Sequence, residues 1–501
     1  MKKMETDLKG HSRKKKMLEP PFVAKLGGIQ KSSWANDRMP EMLWAVLVIG
    51  NLERDMALNF FRYVAKFVSE NKDCWNVTIS GIDAMPIDKK TAIIEHMTSF
   101  DVRVNNILSS LLVFEELPSK KIWETFLKIE NRDDAFNNLY RGVWETTDHQ
   151  SEQSTDCRWI KFLCIILGGR VKFPRKMKPK IEEVFEYPDR GDLRSVRPFI
   201  RAAEIMPETI DDKQKDAQNR WIAHFWKSCY DSTSCIFETD HFKDEGYKST
   251  EWEKERKYYF EETVRVRSSL SGHCVKTSTT SAPDYKHEAI FGLGLYGITL
   301  CIEYIVYKLD YSIASRMLMR SLTECYITLC YLIQKDEGEL WKEYRAYGIG
   351  QAKLAYLKSE EVGQKQMPSG FDGEMMRRIA NEDEWQEFVS INIGNWGQSD
   401  LRKISEECGL KDIYDKFYAW TSGYNHASWA SVRETVYESC LNPLHRFHRI
   451  PRNPIVKMPT ITKDFIVMTN KILEMIDVAY PKYKDRIKTL KPKKEETTSK
   501  K

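Results

Sequence analysis

The sequence predicts an all-α protein in which many helices form bundles within two or three packed domains. At 501 residues, the chain exceeds the roughly 250–300 residues at which a single hydrophobic core stops growing. Helix-forming residues dominate and apolar residues recur at helical spacing, whereas the alternating Val/Ile/Thr patterns of sheets are scarce. An apolar fraction of 42% with 12% aromatic residues is enough to fill such cores. We therefore expect more than half of the residues in helices and at most a few short strands.

An N-terminal helical domain is expected over residues 26–240. Residues 37–40 are typical of a helix entry, with Pro40 near the first helical position. Residues 42–48 then predict a helix that is apolar on nearly every face. Helical patterns follow at 53–71, 88–98, 101–116, 119–129, 132–146, 156–167 and 211–229.

Residues 170–201 interrupt this pattern with ten Lys/Arg residues, and they lie in a stretch where Pro and Gly gather. They predict either a connector between helical layers or an anion-binding surface that contacts nucleic acid. Five interleaved acids favour the connector.

A C-terminal helical domain is expected over residues 241–481. A Ser/Thr-rich segment at 268–281 is predicted as a loop or boundary. Residues 289–333 predict two helices that meet near Asp310. Further helices are predicted at 335–358, 374–392, 411–440 and 462–478.

The two ends of the chain carry its excess of positive charge. Residues 1–25 and 482–501 together hold 17 of the 78 basic and 6 of the 73 acidic residues. The part of the chain between these two ends therefore holds 61 basic and 67 acidic residues. Both ends are predicted as disordered basic tails because they combine high charge with few apolar residues. Because the chain between the two ends is slightly acidic, broad nucleic-acid binding is not expected.

The sequence predicts a cytoplasmic protein that does not cross a membrane. The longest apolar run, at 42–50, is about half of what a membrane span needs, and Glu303 interrupts the next candidate. No apolar stretch follows the basic N-terminus, so a signal peptide is not expected. Eleven cysteines lie mostly within apolar helical patterns, where they act as small buried hydrophobes of a reducing compartment.

A first polar stripe occupies one face of an otherwise apolar helix. Arg316, Arg320 and Glu324 are spaced by four, which places them on the same face. Arg before Glu is the less favourable order for a surface pair, so helix stabilisation explains the stripe poorly. The stripe indicates either internal pairing within the bundle or the lining of a functional cleft.

A second stripe combines Tyr418, Ser422 and His426, again spaced by four along the helix predicted at 411–440. Histidine titrates near neutral pH, and Tyr and Ser can orient it or a substrate. The alternatives are a hydrogen-bonded core histidine and a catalytic one. Because unpaired buried polar groups are costly, we expect the two stripes to face each other.

These motifs resemble a known family. Arg316 to Glu324, Trp341-Lys-Glu-Tyr344 and the Tyr418/Ser422/His426 spacing are similar to the bacterial family of domains of unknown function numbered 5677, over roughly residues 285–450. The N-terminal run from Ser33 to Trp44 resembles a companion region of the same bacterial proteins. The resemblance implies no particular activity.

A wider similarity is to HEPN-type helical bundles, many of which are metal-free ribonucleases of toxin and phage-defence systems. Their mark is an Arg followed by His after four to six residues, and Arg267 and His273 fit that spacing. One or two such matches are expected by chance from 29 arginines and ten histidines. The pair also lies at the predicted Ser/Thr-rich loop rather than at a helix start, which is a departure from the family pattern.

No metal or cofactor site is predicted. His445 and His448 are three apart, with Glu438 nearby, but neither an H-E-x-x-H motif nor a cysteine partner completes a zinc pattern. Phosphate-binding glycine loops, the G-x-S-x-G elbow and kinase motifs are absent from the sequence.

Two functions of different class remain open. The first is a bacterial defence or toxin-like effector or sensor that cleaves RNA without metal. His426 would then be the general acid or base, Arg316 or Arg320 would stabilise the phosphorane charge, and Tyr418 and Ser422 would orient the reacting groups, with Glu324 completing the candidate catalytic set. The second is a non-catalytic helical scaffold that recognises a protein or nucleic-acid partner. A homodimer is compatible with both.

Overall fold

A computed structural model describes residues 10–15, 17–19, 32–205, 212–237, 250–363, 366–394, 396–398, 400–452 and 458–490. The chain divides into two compact units. Unit 1 consists of Met1–Thr239 and Ser439–Arg449, and unit 2 of Asp240–Glu438 and Ile450–Lys501. Of the residues that the structure describes, 70% are helical, and the strands among them form only two small two-stranded sheets. The predicted all-α fold is confirmed.

Unit 1 begins with strands β1 (Ser12–Lys14) and β2 (Met17–Glu19), which pair antiparallel. Short π or 3-10 turns lie at Trp34–Arg38, Pro40–Met42, Lys72–Cys74, Ser109–Val113, Arg175–Met177 and Pro443–His445. Its α-helices are α1 (Leu43–Asn51), α2 (Arg54–Glu70), α3 (Ile79–Asp83), α4 (Ile87–Thr98), α5 (Val102–Leu108), α6 (Lys120–Phe126), α7 (Arg132–Thr147), α8 (Glu152–Leu167), α9 (Lys178–Phe185), α10 (Leu193–Ala203) and α11 (Asp212–Ser232).

Helix α1 lies at the centre of unit 1. Residues 43–49 are all buried, as expected for a helix without a polar face. It packs against α7 and α8, and it crosses α7 closely because Gly50 faces Gly142: a Cβ on Gly50 would lie 2.4 Å from the Gly142 Cα. The indole of Trp44 donates a hydrogen bond to the carbonyl of Val77 at 2.7 Å.

Residues 170–201, predicted as a connector or an anion-binding surface, contribute helices α9 and α10 to unit 1. Val184, Val196 and Ile200 are buried in its core. Several of the cations pair with acids, for example Arg197 with Glu152 and Lys180 with Glu183 at 2.6 Å.

The α-helices of unit 2 are α12 (Thr250–Thr277), α13 (Tyr285–Val306), α14 (Ile313–Lys335), α15 (Gly338–Val362), α16 (Gly373–Ala380), α17 (Leu401–Glu407), α18 (Lys411–Ile413), α19 (Trp420–Asn425), α20 (Trp429–Val436) and α21 (Thr462–Ala479). A 3-10 turn lies at Trp396–Gln398 and a π-helical turn at Tyr414–Ala419. Strands β3 (Tyr437–Ser439) and β4 (Arg449–Pro451) form the second small sheet. The core of this unit comes mainly from α12, α13, α14 and α21.

Helix α13 is the one described helix that is long and apolar enough to cross a membrane by length and composition. Of its most apolar window, 56% is buried, and the helix packs against α12, α14 and α21. Core packing accounts for this composition, and the cytoplasmic location stays a prediction.

The Ser/Thr-rich segment predicted as a loop is helical up to Thr277. Its hydroxyl groups donate to the carbonyl four residues earlier, as Ser268 does to Val264 at 3.1 Å and Ser271 to Arg267 at 3.1 Å. Ser and Thr hydroxyls often form local hydrogen bonds that compete with a helix, but these hydroxyls bond within the helix itself. Val266 and Leu270 are buried, so tertiary packing outweighs the low helix propensity of the segment.

The tails predicted as disordered are ordered where they are described. In the N-terminal tail, β1 and β2 form a hairpin, while residues 1–9, 16 and 20–25 lie outside the described part. After residue 482, Tyr483 and Ile487 are buried in the core of unit 2. The Asn470 side chain also holds the backbone of Ile487 with two hydrogen bonds of 2.9 Å. The burial of Tyr483 and Ile487 outweighs the high charge of this segment, which is ordered up to Leu490. Residues 491–501 lie outside the described part.

Candidate ligand-binding site

Arg316, the first residue of the first stripe, is a structural residue. It lies one turn into α14, where Ser312 caps the helix by accepting from the Ser315 amide at 3.3 Å. Its side chain is buried, and the guanidinium donates to the Ser315 hydroxyl at 2.9 Å and to the carbonyl of Pro459. Burial lowers the pKa of Arg316. The residue therefore ties α14 to the chain that leads into α21.

Arg320 is the point at which the two stripes meet. Its guanidinium donates to the Tyr418 hydroxyl at 2.5 Å and to the Glu324 carboxylate at 3.2 Å. It also lies over the Tyr418 ring at 4.5 Å from the centroid. Burial raises the pKa of Tyr418, so its hydroxyl stays protonated at neutral pH. Three of the six predicted site residues thus form one group.

Ser422 and His426 do not join this group. The predicted straight helix over 411–440 is wrong, because the chain forms a π-helical turn at Tyr414–Ala419 and α19 ends at Asn425. A π-helical turn contains about one residue more than an α-helical turn. Every later side chain is therefore rotated away from the face that residues spaced by four would share. His426 follows the helix end, is exposed, and precedes Ala427, whose φ is +46°.

The sequence pattern missed the polar pair that actually lies near Arg316. The Tyr424 hydroxyl donates to the Glu434 carboxylate at 2.5 Å, and both groups interact electrostatically with Arg316. Burial raises the pKa of Tyr424. The two residues are ten positions apart, across the turn between α19 and α20, so helical spacing could not reveal the pair.

The predicted Arg267–His273 motif is not a paired site. Both residues lie within α12. Side chains six positions apart on an α-helix point in directions that differ by well over 90° around its axis. His273 instead lies 3.0 Å from the carbonyl of Tyr480 and packs against Phe291 and Tyr483. It is a packing residue of the bundle.

A cavity of about 620 Å³ lies beside the Arg320 group, within unit 2. Glu324 is the stripe residue that lines it. Gly292 on α13 leaves part of the space open, because a Cβ at this position would meet nothing within 4 Å. The other lining residues come from α13, α14, α15 and the turn at Trp396: Tyr285, Glu288, Ala289, Leu293, Tyr296, Ser321, Cys325, Thr328, Tyr344, Arg345 and Trp396.

Aromatic side chains and carboxylates dominate the chemistry of the cavity. Tyr285, Tyr296, Tyr344 and Trp396 supply flat apolar surface. Burial raises the pKa of Tyr344 to about 12 and raises that of Tyr296, so both hydroxyls stay protonated at neutral pH. These hydroxyls make no hydrogen bond to any described residue. They are consequently available to a ligand.

The cation of the cavity, Arg345, is already neutralised. It donates to both oxygens of Asp383 at 2.6 and 2.7 Å and also pairs with Glu288. Glu382 lies 3.6 Å away. By contrast, the Glu324 carboxylate is 44% exposed and has one ion-pair partner. The cavity therefore favours ligands with N–H donors and offers little to a phosphate.

Fold and site define a helical-bundle protein with an aromatic-lined cavity in its C-terminal unit. Residues 291–439 match the family of unknown function DUF5677, which confirms the resemblance predicted from the stripes. The matched part includes Glu324, Tyr344, Trp396 and Tyr418. No curated protein and no solved structure matches the chain.

Proposed function

We propose that unit 2 is a non-catalytic sensor module that binds a flat nitrogen heterocycle of the nucleobase or nucleoside class. The observation that carries this proposal is the cavity lined by four aromatic side chains and two carboxylates. Stacking on aromatic rings contributes about 1–3 kcal/mol per base. Carboxylates accept hydrogen bonds from the ring and amino N–H groups of such a base.

The charge distribution separates nucleosides from nucleotides. Arg345 carries the positive charge of the cavity and is engaged by Glu288 and Asp383. A phosphate would therefore approach the Glu324 carboxylate without a free cation to compensate. We therefore expect the ligand to be the uncharged nucleoside and its monophosphate to bind less well.

Binding is expected to depend on the open space at Gly292 and on Trp396. Four nucleosides and their 5′-monophosphates are titrated into the purified full-length chain and followed by calorimetry. We expect at least one nucleoside to bind and its monophosphate to bind more weakly. Gly292→Trp should fill the cavity and weaken binding by more than about tenfold, and Trp396→Ala should weaken it by about 5- to 150-fold through lost stacking.

The chain offers a matched control for each change. Gly348 is exposed on α15, and a Cβ added there would meet nothing within 4 Å, so Gly348→Trp should bind like the wild type. Trp429 is 66% exposed and lies outside the cavity lining, so Trp429→Ala should also bind normally. The proposal fails if no nucleoside binds, or if Gly292→Trp binds as tightly as Gly348→Trp.

RNA cleavage is the second candidate, and the Arg320–Tyr418–Glu324 group beside an open cavity is the observation in its favour. The histidine predicted as its general acid or base does not join this group, because His426 is exposed beyond the helix end. We therefore expect cellular RNA to stay intact when the wild type or His426→Ala is expressed. Degradation by the wild type that His426→Ala abolishes would restore the ribonuclease hypothesis.

A further inference from the structure

Two cysteines and two histidines of unit 1 converge on one point, far from the cavity residues in sequence. Cys235 follows the end of α11, whereas Cys440, His445 and His448 lie in the segment Ser439–Arg449 of the same unit. One ligand atom of each residue lies within 4.8 Å of the other three. The fold thus supplies the cysteine partners that the sequence pattern around His445 and His448 lacked.

The distances between these atoms fit ligands around a single ion. Sγ of Cys235 lies 3.3 Å from Nε2 of His448 and 3.5 Å from Nδ1 of His445. Sγ of Cys440 lies 3.5 Å from the same Nδ1. A tetrahedral zinc with Zn–S near 2.3 Å and Zn–N near 2.0–2.1 Å places sulfur and nitrogen about 3.5 Å apart.

The orientation of His445 is set by Thr233. Nε2 of the imidazole lies 2.9 Å from the Thr233 hydroxyl and 3.2 Å from its carbonyl oxygen. Because a carbonyl only accepts, Nε2 carries the proton, and the lone pair of Nδ1 faces the sulfurs. Metal-binding histidines are usually held by such an outer hydrogen bond. The amide of Asn442 in turn donates to the Thr233 hydroxyl at 3.1 Å.

The surroundings of Cys440 suit a thiolate. The backbone N–H groups of Ile236 and Asn442 each lie 3.4 Å from its sulfur. Two thiolates and two neutral imidazoles balance the charge of a divalent ion, which suits a site where Cys440 and His445 are buried. A disulfide would engage the two sulfurs alone and would not explain the approach of both imidazoles.

We propose that Cys235, Cys440, His445 and His448 bind one Zn²⁺ in a closed tetrahedral site. All four positions are taken by protein ligands, so the site is structural and leaves no position for a substrate. Binding replaces the two thiol protons with the metal, and both protons go to the solvent. The ion holds the segment Ser439–Arg449, including buried Leu444, beside the end of α11.

The test measures the zinc content of the full-length chain purified without chelator, together with its melting temperature. We expect about one zinc per chain and a loss on the order of 10 °C in the melting temperature of the metal-free protein, restored by added Zn²⁺. Cobalt substitution should produce the absorption of a tetrahedral site with thiolate ligands. Cys440→Ser should lose the metal, whereas His448→Cys, which keeps four zinc ligands, should retain it.

Two control variants separate this site from incidental metal binding. Cys408 is a half-buried free cysteine outside the cluster, and His149 is an exposed histidine. Cys408→Ser and His149→Ala should keep the full zinc content. The proposal is overturned if the wild type holds no zinc and does not take it up, if a Cys235–Cys440 disulfide is found, or if Cys440→Ser retains zinc.

Discussion

Replacement of Glu204 by alanine is expected to lower the free energy of unfolding of unit 1 by about 3–5 kcal/mol. The Glu204 carboxylate is fully buried and forms ion pairs with Arg38 and, at 3.3 Å, with Lys161. The side chains of the two cations are only 13% and 12% exposed. Without the carboxylate, two positive charges would stay poorly hydrated at one place in the core.

Denaturant unfolding of the full-length chain, followed by tryptophan fluorescence, measures this loss. Glu186→Ala is the matched control in the same unit, because Glu186 and its partner Arg190 are 48% and 76% exposed. An exposed pair of this kind contributes about 0–1 kcal/mol. Equal stability of the two variants would show that the Glu204 ion pairs contribute little.

Glu41→Gln is expected to raise the free energy of unfolding of unit 1 at pH 8. Measured against the effect of the same substitution at pH 4, the gain is about 3 kcal/mol. Burial raises the pKa of Glu41 from 4.5 to about 7, although hydrogen bonds from Ser80 oppose the shift. The Ser80 amide and hydroxyl donate to the carboxylate at 3.1 and 2.8 Å. Between these two pKa values the folded chain keeps a proton that the unfolded chain has released.

The wild type therefore loses stability as the pH rises from 4.5 to 7, and the loss is complete above the folded pKa. Glutamine keeps the shape of the side chain but does not ionise, so the curve of the variant should lack this fall. Unfolding free energies measured at half-unit steps from pH 4 to 8 give the comparison, with Glu186→Gln as the exposed control. Parallel curves for wild type and Glu41→Gln would show that Glu41 titrates normally.

The candidate site was predictable in part, within one regular helix and where one polar stripe needed the other as its partner. Arg320 and Glu324 pair at i and i+4 as the spacing indicates. The contact of Arg320 with Tyr418 was also expected, since buried polar stripes need partners. Ser422 and His426 were misplaced because a π-helical turn and the end of α19 depend on how this segment packs.

The sequence by itself determined the all-α class and most helix positions, because the spacing of apolar residues is a local property that each helix expresses separately. It also located the family resemblance, since residues 291–439 match that family. Only the tertiary structure decided the cavity, whose walls come from several helices and include the open space at Gly292. The same holds for the Cys235–His445 contact, which joins residues 210 positions apart. Such contacts are set by how the chain returns on itself, and no local pattern of residues encodes that path.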